Sequence, residues 1–171
     1  MPDVSHREEI EFPEWAKSDF QRKDEILSKS TIKAIAVISN AEIIKEKISF
    51  FYSVSKERIH VINQQPSLSI SQFKGIDEEL LKKFKNKYKL PEKYIFYPAM
   101  YLPHKNHKYI IDSIKILKDE SKINLSAVFC GNDQGYLKKI KKYAEEEKQS
   151  KNIFFLDFVD SKYLPYLYLN S

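Results

Sequence analysis

The sequence predicts an α/β fold of the Rossmann-like kind, in which helices cover both faces of a parallel sheet. Strand-like and helix-like segments alternate along the chain from about residue 24. The strand-like segments are almost continuously apolar, which is typical of parallel strands that are buried on both faces. The helix-like segments between them carry apolar residues three and four positions apart, the spacing of an amphipathic helix. Together these observations favour a parallel sheet that is covered on both sides.

The first predicted elements lie between residues 32 and 63. An apolar run at 32–38 predicts a buried strand. Ser39 and Asn40 follow it as the cap of a helix that extends to about Tyr52. Residues 58–63 predict the next strand. The apolar positions i, i+4 and i+7 of the helix form its predicted core stripe, which consists of Ile44, Ile48 and Phe51.

The polar stretch 64–76, with Pro66 and several serines, is the predicted linker. After it, a helix starts near Asp77 and ends before Pro91, because proline cannot continue a helix. Strands and helices then alternate again, with strands at 94–98, 124–130 and 152–157 and helices at 106–119, 134–148 and from about 160. The predicted inward face of helix 106–119 consists of Ile110, Ser113, Ile114 and Leu117.

Composition excludes several kinds of site. The chain has 171 residues, of which 42% are hydrophobic and 31% charged, so it predicts a globular protein. Only three glycines occur, which excludes a glycine-rich phosphate loop of the Walker or dinucleotide-binding type. The single cysteine, Cys130, lies in an apolar run and is interpreted as a buried core residue in a reducing compartment. It allows neither a disulfide framework nor a cysteine metal site.

Lysine supplies nearly all of the positive charge. The formal net charge is +5 at pH 7, yet the chain has only the arginines Arg7, Arg22 and Arg58. Nucleic-acid-binding proteins usually contact bases and phosphates with arginine, so that role fits poorly. Lysines cluster on two predicted helices, at 82–89 and 138–142. They predict solvated helix faces, with attraction to anionic lipid or another polyanion as the alternative.

The start of the chain is polar and shows no signal peptide, and no window approaches ~18 consecutive apolar residues. We therefore expect a cytoplasmic protein, with peripheral attachment to the inner face of the cell membrane as an open alternative. Both ends fall within apparent structural elements, so we expect a chain that is incomplete at both ends.

Lys105 is the first candidate ligand-binding residue. It lies where strand 94–98 leads, through a loop with two prolines, into the next helix. Helix N-termini offer unpaired N–H groups and a partial positive charge, and a lysine adds a full charge, so the position suits a phosphate. An ordinary surface lysine is the alternative. His104 and His107 flank it, and with only four histidines in the chain we expect packing or a hydrogen bond to the same ligand rather than a zinc site.

Two further loops follow predicted strands. Gly131, Asn132 and Asp133 come directly after strand 124–130, and residues 157–159 end the next strand in the same way. Open parallel sheets bind ligands at the carboxyl ends of their strands. We therefore expect these two loops and Lys105 to converge on one crevice.

His6 is a candidate acid–base residue near the start of the chain. Histidine titrates near neutral pH, and Asp3 and Glu8 are close in sequence. The segment around it is interpreted as the end of a strand.

Taken together, these segments resemble family 4 glycosyltransferases of the GT-B fold, especially the bacterial enzymes of envelope-polysaccharide synthesis. The family's strand, loop and helix with its diphosphate-binding lysine are similar to the stretch YPAMYLPHKNHKYIIDSIKIL. The family's nucleotide-side segments resemble LSAVFCGNDQGYLKKI and NIFFLDFVDSKYLPYLYLNS, and its acceptor-side segments resemble PDVSHREEIEFPEW and AIAVISNAEIIKEKI. The resemblance covers essentially the whole chain, and 64–76 is its least specific part. The aromatic turn at 12–15 is then either a loop anchored by tryptophan or a wall on the acceptor side.

The resemblance implies three parts: 1–63 as the C-terminal part of the acceptor domain, 64–76 as a linker, and 77–171 as a truncated donor-binding domain. It implies that Lys105 binds the donor diphosphate and that His6 is the catalytic residue that borders the acceptor and the reacting sugar. The residues implied beside the nucleotide are Gly131, Asn132, Phe158 and Val159. No cofactor or metal is implied, because the lysine and the helix dipole would stabilise the departing nucleotide.

The sequence departs from the family in two places. An arginine or a similar group usually stands about six residues before the lysine, where this chain has Ala99, so the phosphate would be held more weakly or differently. The acidic pair of the Glu-Gly-Phe-Gly type would come just past Ser171. We therefore expect this chain by itself to be inactive.

The leading hypothesis is a fragment of a glycosyltransferase that transfers a sugar from a nucleotide-sugar donor to a glycan or lipid-linked acceptor. The alternative is a non-catalytic nucleotide- or protein-binding module on a Rossmann-like scaffold.

Overall fold

A computed structural model describes residues 3–13, 20–66, 68–71 and 73–171 of the protein. The chain divides into two compact units, Met1–Gln65 and Pro66–Ser171. This division falls inside the segment 64–76 that was predicted as the linker. The acceptor and donor roles of the two parts stay predictions.

The first unit contains, in chain order, helix α1 (Ser5–Glu8), helix α2 (Phe20–Lys33), strand β1 (Val37–Ser39), helix α3 (Glu42–Tyr52) and strand β2 (Ile59–Val61). β1 and β2 pair in parallel, and α3 connects them. The sequence predicted this strand–helix–strand order. The core of the unit is formed by the buried residues Val4, Val37, Ile48, Tyr52, Val54 and Ile59.

The prediction of a strand at 32–38 is wrong over most of its length. α2 continues through the first two of these residues, and Ile32 and Ile35 are 64% and 96% exposed. The side chain of Arg58, which lies just before β2, stabilises the end of α2. Its guanidinium group donates hydrogen bonds to the carbonyl oxygens of Thr31, Ile32 and Ala34. Because Arg58 is distant in sequence, the local apolar pattern could not reveal this contact.

The second unit contains helix α4 (Leu68–Ser71), helix α5 (Glu78–Tyr88), strand β3 (Tyr94–Pro98), helix α6 (His107–Ser121), strand β4 (Ser126–Cys130), helix α7 (Leu137–Glu146), strand β5 (Ile153–Leu156) and helix α8 (Leu164–Leu169). The three strands form one parallel sheet in the order β3–β4–β5. The predicted strand at 94–98 matches β3. The ends of the other predicted elements of this unit differ by one to four residues, mostly by shortening, whereas α6 extends two residues past its predicted end.

Both faces of this sheet are covered, as the apolar strands predicted. In β4, Ala127 and Phe129 belong to a core cluster with the buried residues of α6 and α7. Val128 and Cys130 point the other way and belong to a second cluster with residues of α5 and α8. Alternate side chains of one strand therefore supply two separate cores, since successive residues of a strand face opposite sides.

The inward face of α6 differs from the prediction. Its buried residues are His107, Ile111 and Ile114, whereas Ile110 and Leu117 are only partly buried. Ser113 donates its hydroxyl proton to the carbonyl oxygen of its own helix at Tyr109, 2.8 Å away. The buried face is rotated relative to the prediction because His107, which the predicted face did not include, is the buried residue at the start of the helix.

All but the first two residues of the predicted linker belong to the second unit. The Phe73 ring packs edge-on against Tyr166 of α8, with ring centroids 5.7 Å apart. The backbone N–H of Asp77 donates to the Tyr166 hydroxyl, and the Asp77 carboxylate caps α5 by accepting from Leu80 N–H at 3.0 Å. Within the described ranges, no helix combines the length and apolar character that crossing a membrane requires.

Candidate functional site at the carboxyl edge of the second sheet

The three strands of the second unit end at the same level. Pro98 of β3 pairs with Cys130 of β4, and Cys130 pairs with Leu156 of β5. The loops that follow, 99–106, 131–136 and 157–160, therefore leave the sheet along one edge. This is the edge at which open parallel sheets bind ligands.

Gly131 brings the first two loops into direct backbone contact. A Cβ atom at this position would lie 2.2 Å from the carbonyl oxygen of Ala99 and 2.9 Å from the amide nitrogen of Met100. No residue with a side chain fits without moving the backbone. The glycine is thus required by close approach of the two loops, and the φ angle plays no part, because Gly131 is not among the positive-φ residues.

Tyr101 ties all three loops together. Its backbone N–H donates to the carbonyl oxygen of Asn132 at 3.1 Å, and it forms an isolated parallel bridge with Asp133. Its hydroxyl lies 2.9 Å from the carbonyl oxygen of Leu156 and 3.2 Å from that of Phe129. The side chain is completely buried, and burial raises the pKa of its hydroxyl, so the group remains a hydrogen-bond donor.

Lys105 ends a short 3₁₀ turn, Pro103–Lys105, and does not itself begin the helix. Asn106 follows in a left-handed conformation with φ 46°, and α6 starts at His107. The hydroxyl of Tyr97 donates to the Lys105 carbonyl oxygen at 2.8 Å, which fixes the turn to β3. Within the described part of the chain, the Lys105 ammonium group has no ion-pair partner. A positive charge next to a helix N-terminus is thus left available for an anion.

His107 is packed and not exposed to a ligand. It is 1% exposed and lies among the rings of Tyr97, Tyr101 and Phe129, at centroid distances of 5.0, 5.1 and 5.0 Å. Neither ring nitrogen has a hydrogen-bond partner among the described residues. Burial lowers the pKa of His107 to about 4, and the neighbouring Ala99 backbone offsets part of this shift. The imidazole is therefore neutral at physiological pH.

In the loop after β4, Asn132 is exposed to solvent, whereas the carboxylate of the neighbouring Asp133 binds backbone N–H groups at the start of α7. One Asp133 carboxylate oxygen accepts from the backbone N–H groups of Gly135, Tyr136 and Leu137, at 2.8, 3.0 and 3.0 Å. These bonds, with the one from Leu137 first, lower the pKa of Asp133. The N-terminus of α7 is thus already occupied by a carboxylate of the chain itself.

The loop after β5 presents one of its two candidate residues and buries the other. Phe158 is 74% exposed, beside the carboxyl edge of the sheet. Val159 is 3% exposed and belongs to the core cluster formed with α5 and α8. Its side chain faces the core, so only its backbone is available on the ligand side.

His6 lies in the first unit, on α1 and not at the end of a strand. It is fully buried, and its Nε2 atom lies 3.1 Å from the Tyr52 hydroxyl and 3.4 Å from an Asp24 carboxylate oxygen. The Tyr52 hydroxyl also donates to Asp24, at 3.1 Å, and Arg7 pairs with the same carboxylate through both its Nε and terminal nitrogens. The result is a polar cluster in which three side chains surround the carboxylate of Asp24.

The ionisation of this cluster follows from burial and from the Arg7–Asp24 pair. Burial lowers the pKa of His6, and the hydrogen bond to Asp24 partly offsets the shift. The Arg7 guanidinium group lowers the pKa of Asp24. Burial raises the pKa of Tyr52 to about 12, with a further contribution from Asp24. Asp24 is therefore the charged acceptor of the cluster and Tyr52 a neutral donor.

The carboxylates expected beside His6 have other partners. Asp3 accepts from the Ser5 backbone N–H at 3.2 Å, and this bond starts α1. Glu8 pairs with Lys47 at 2.7 Å. The aromatic turn predicted at 12–15 lies partly outside the described residues. Within the described ranges, no three side chains of His, Cys, Asp and Glu lie close enough together to hold a metal ion.

The structure thus brings the Lys105 turn, Gly131, Asn132 and the loop of Phe158 and Val159 to one edge of the second unit. Sequence reasoning missed Tyr97 and Tyr101 as residues that hold this edge, whereas packing of His107 was one of its two predicted alternatives. An aromatic residue just past a strand end gives a weak signal, because tyrosine is as common in cores as at sites. His6 belongs to the first unit.

Comparison with known proteins identifies the second unit by sequence. The family model described as glycosyl transferases group 1 matches residues 78–171, more than half of the chain. No curated protein matches the sequence.

Solved structures share the fold at low sequence identity. A glycosyltransferase from Rickettsia africae ESF-5 has a TM-score of 0.68 at 17% identity, over 84% of this chain and 38% of that one. The Anabaena protein HepE, in complex with UDP and glucose, has a TM-score of 0.66 at 14% identity, over 82% and 38%. WaaG, a glycosyltransferase involved in lipopolysaccharide biosynthesis, has a TM-score of 0.57 at 15% identity, over 73% and 34%.

These similarities confirm the predicted fold, an α/β arrangement with parallel sheets like that of GT-B glycosyltransferases. The chain spans 38% of the length of each of the first two proteins.

Proposed function

Because the chain belongs to the glycosyl transferases group 1 family, we propose that the whole protein transfers a sugar from a nucleotide-sugar donor to a glycan or lipid-linked acceptor. In this proposal the second unit binds the donor nucleotide at the carboxyl edge of its sheet. We further assign the protein to family 4, on the sequence segments that resemble it.

One observation carries the proposal: the loop that contains Lys105 meets the Gly131 loop, backbone against backbone at Ala99 and Met100, at the end of a parallel sheet. Gly131 leaves no room for a Cβ beside Ala99, so the two loops form a continuous polypeptide surface. Beside it stand the Lys105 ammonium group, which has no ion-pair partner among the described residues, and the N-terminus of the 15-residue helix α6. This combination of a full charge and a helix N-terminus favours a diphosphate.

The proposed chemistry is electrostatic. Lys105 stabilises the charge that develops on the diphosphate as the sugar–phosphate bond breaks. Gly131 and Asn132, together with Phe158 and the backbone of Val159, form the nucleotide side. The exposed Phe158 ring suits contact with a base, because aromatic rings stack on bases of any sequence. The lysine and the helix dipole take the place that a metal ion would hold.

His6 is the proposed catalytic residue on the acceptor side. Its Nδ1 atom has no hydrogen-bond partner among the described residues. Its Nε2 atom is engaged by Tyr52 and Asp24, so Nδ1, which is buried in the structure, is the ring nitrogen left to accept a proton.

The proposed setting is envelope-polysaccharide synthesis at the inner face of the cell membrane. The sequence resemblance supports this setting. The exposed lysines of α5 and α7 suit an anionic lipid surface, since each basic residue near such a surface adds about 1 kcal/mol of attraction. Cosedimentation with vesicles that contain phosphatidylglycerol, compared with pure phosphatidylcholine vesicles, tests the attachment. Equal recovery with both kinds of vesicle contradicts it.

Titration calorimetry of the 171-residue chain with UDP and UDP-glucose tests the donor site. We expect saturable binding that the substitution Lys105→Ala weakens by about 10- to 100-fold, the size of a lost charge-assisted hydrogen bond. Lys118→Ala is the matched control, because it removes the same charge about 20 Å away in the last turn of α6. It should change the affinity less than about twofold if the effect is local.

The same titration with other nucleoside diphosphates extends the test to donors with a different base. Absence of binding to all of them contradicts the proposed donor site. Binding without transfer from any nucleotide sugar by the whole protein supports the non-catalytic binding module instead.

A further inference from the structure

Tyr101 is the residue through which the three loops of the proposed donor edge are joined. Its N–H reaches the loop after β4 through Asn132, at 3.1 Å. Its hydroxyl donates to the carbonyl oxygens of Phe129 in β4 and Leu156 in β5, at 3.2 and 2.9 Å, near the carboxyl ends of both strands. It also lies four residues before Lys105 in the same loop. One residue therefore links all three segments, through its backbone N–H and its hydroxyl.

The hydroxyl is what distinguishes this residue from a core aromatic. A phenylalanine would fill the same volume among the rings of His107 and Phe155, with centroids 5.1 and 6.3 Å away. It would leave the two carbonyl oxygens without the proton that tyrosine donates. Buried carbonyl groups at the end of a sheet need such a donor, because the ladder of hydrogen bonds stops there.

We infer that Tyr101 is a positioning residue for the donor nucleotide: its hydroxyl holds the ends of β4 and β5 in register so that the Gly131 loop and the Lys105 turn present one anion-binding surface. This inference rests on the proposed function. It assigns the residue no contact with the nucleotide, since the side chain is completely buried.

The strand that precedes this loop offers a matched control. Tyr94, at the start of β3, is 4% exposed, and its hydroxyl donates to the carbonyl oxygen of Leu167 in α8 at 3.1 Å. It therefore loses an equivalent buried hydrogen bond when changed to phenylalanine. Its hydroxyl, however, belongs to the core cluster with α8 and lies at the amino end of the strand.

The first test compares Tyr101→Phe with Tyr94→Phe in the 171-residue chain, with UDP as the probe. Both variants should lower the melting temperature by a similar amount, because each removes one buried hydroxyl proton that is donated to backbone carbonyl oxygen. At a temperature well below both transitions, Tyr101→Phe should weaken UDP binding by about 3- to 10-fold and Tyr94→Phe by less than about twofold. Equal changes in UDP affinity overturn the inference, because a purely structural role predicts them.

The second test asks whether Tyr101 acts through Lys105. In a double-mutant cycle, Tyr101→Phe should reduce UDP affinity less in the Lys105→Ala background than in the wild type, because the two changes disturb one surface. Strictly additive changes overturn the coupling of the two residues.

Amide hydrogen exchange separates this inference from the proposed function. Exchange at 131–133 and 157–159 should be faster in Tyr101→Phe than in Tyr94→Phe, with or without UDP. If the wild type binds no nucleoside diphosphate, the donor site is refuted, and the exchange rates alone decide whether Tyr101 holds the loops. Unchanged exchange at both segments refutes that role.

Discussion

Gly131→Ala tests the contact on which the proposed donor edge depends. The added Cβ would lie 2.2 Å from the Ala99 carbonyl oxygen, 2.6 Å from its carbonyl carbon and 2.9 Å from Met100 N, whereas ordinary contact begins at 3.4 Å. The two backbones must therefore separate by roughly 1 Å, and neither can yield as a flexible side chain would. The hydrogen bond from Tyr101 N–H to Asn132 spans the same gap, so it should weaken at the same time.

The cost follows from overpacking. Forced insertion of one methyl group into a packed interior costs about 1–3 kcal/mol, and a backbone-against-backbone clash belongs at the upper end. For a unit of this size, 1 kcal/mol corresponds to about 4–8 °C in melting temperature, so we expect a fall of about 10 °C or more. The UDP affinity measured by calorimetry should fall as well, because the two loops no longer form one surface.

Gly135→Ala is the control for this prediction. Gly135 has φ +86° and no atom within 4 Å of a built Cβ, so an alanine there meets strain but no clash. We expect a cost of about 1 kcal/mol and little change in UDP affinity. Differential scanning calorimetry, with amide exchange in β4 to assign the transition to the second unit, measures both variants. A Gly131→Ala protein that melts within about 2 °C of the wild type refutes the close-contact argument.

Three further predictions concern charge. Lys105→Ala should reduce the sugar-transfer turnover of the whole protein by about 10²–10³, because this loss is typical when one group that stabilises transition-state charge is removed. Steady-state kinetics equal to those of the wild type would exclude the diphosphate role. Because the pKa of His107 is lowered to about 4, its unfolded form takes up a proton first, so the free energy of unfolding should decline as pH falls from about 6.5 towards 4. His107→Phe should flatten this decline in denaturant titrations, and an equally steep decline in the variant contradicts the assignment. The pKa of Asp24 is lowered by Arg7, so the pair stabilises the fold above about pH 4 and this stabilisation is lost at lower pH. The difference in free energy of unfolding between the wild type and Asp24→Asn should therefore shrink on acidification below about pH 4. A constant difference would contradict this prediction.

The limits of local pattern reasoning are visible in particular residues. Strand 94–98 was predicted at its observed bounds because an apolar run between Pro91 and the next loop has no competing interpretation. The strand at 32–38 was misplaced because Arg58, distant in sequence, binds the carbonyl groups at the end of α2. The inward face of α6 was displaced because His107 is buried as a neutral ring among three aromatic side chains.

In the candidate site, too, local sequence patterns predicted some features and contacts between distant residues decided others. Lys105 and Gly131 were predicted from sequence because each lies just past a strand, where open parallel sheets bind ligands, and their roles towards a donor stay predictions. The partners of His6 were not: Asp24 and Tyr52 replace the expected Asp3 and Glu8. Residues that are close in sequence need not be in contact when they lie on a helix, because neighbouring side chains of a helix point in different directions.

By itself, the sequence determined the alternation of strands and helices, the apolar strands that require two covered faces, and the loops that must leave the carboxyl ends of those strands. These follow from local hydrophobic period and turn chemistry, which act over a few residues. Only the tertiary structure decided that Gly131 lies against Ala99 and that the Tyr101 hydroxyl joins β4 to β5. Those contacts depend on the register of parallel strands, which is set by packing between segments that are distant along the chain.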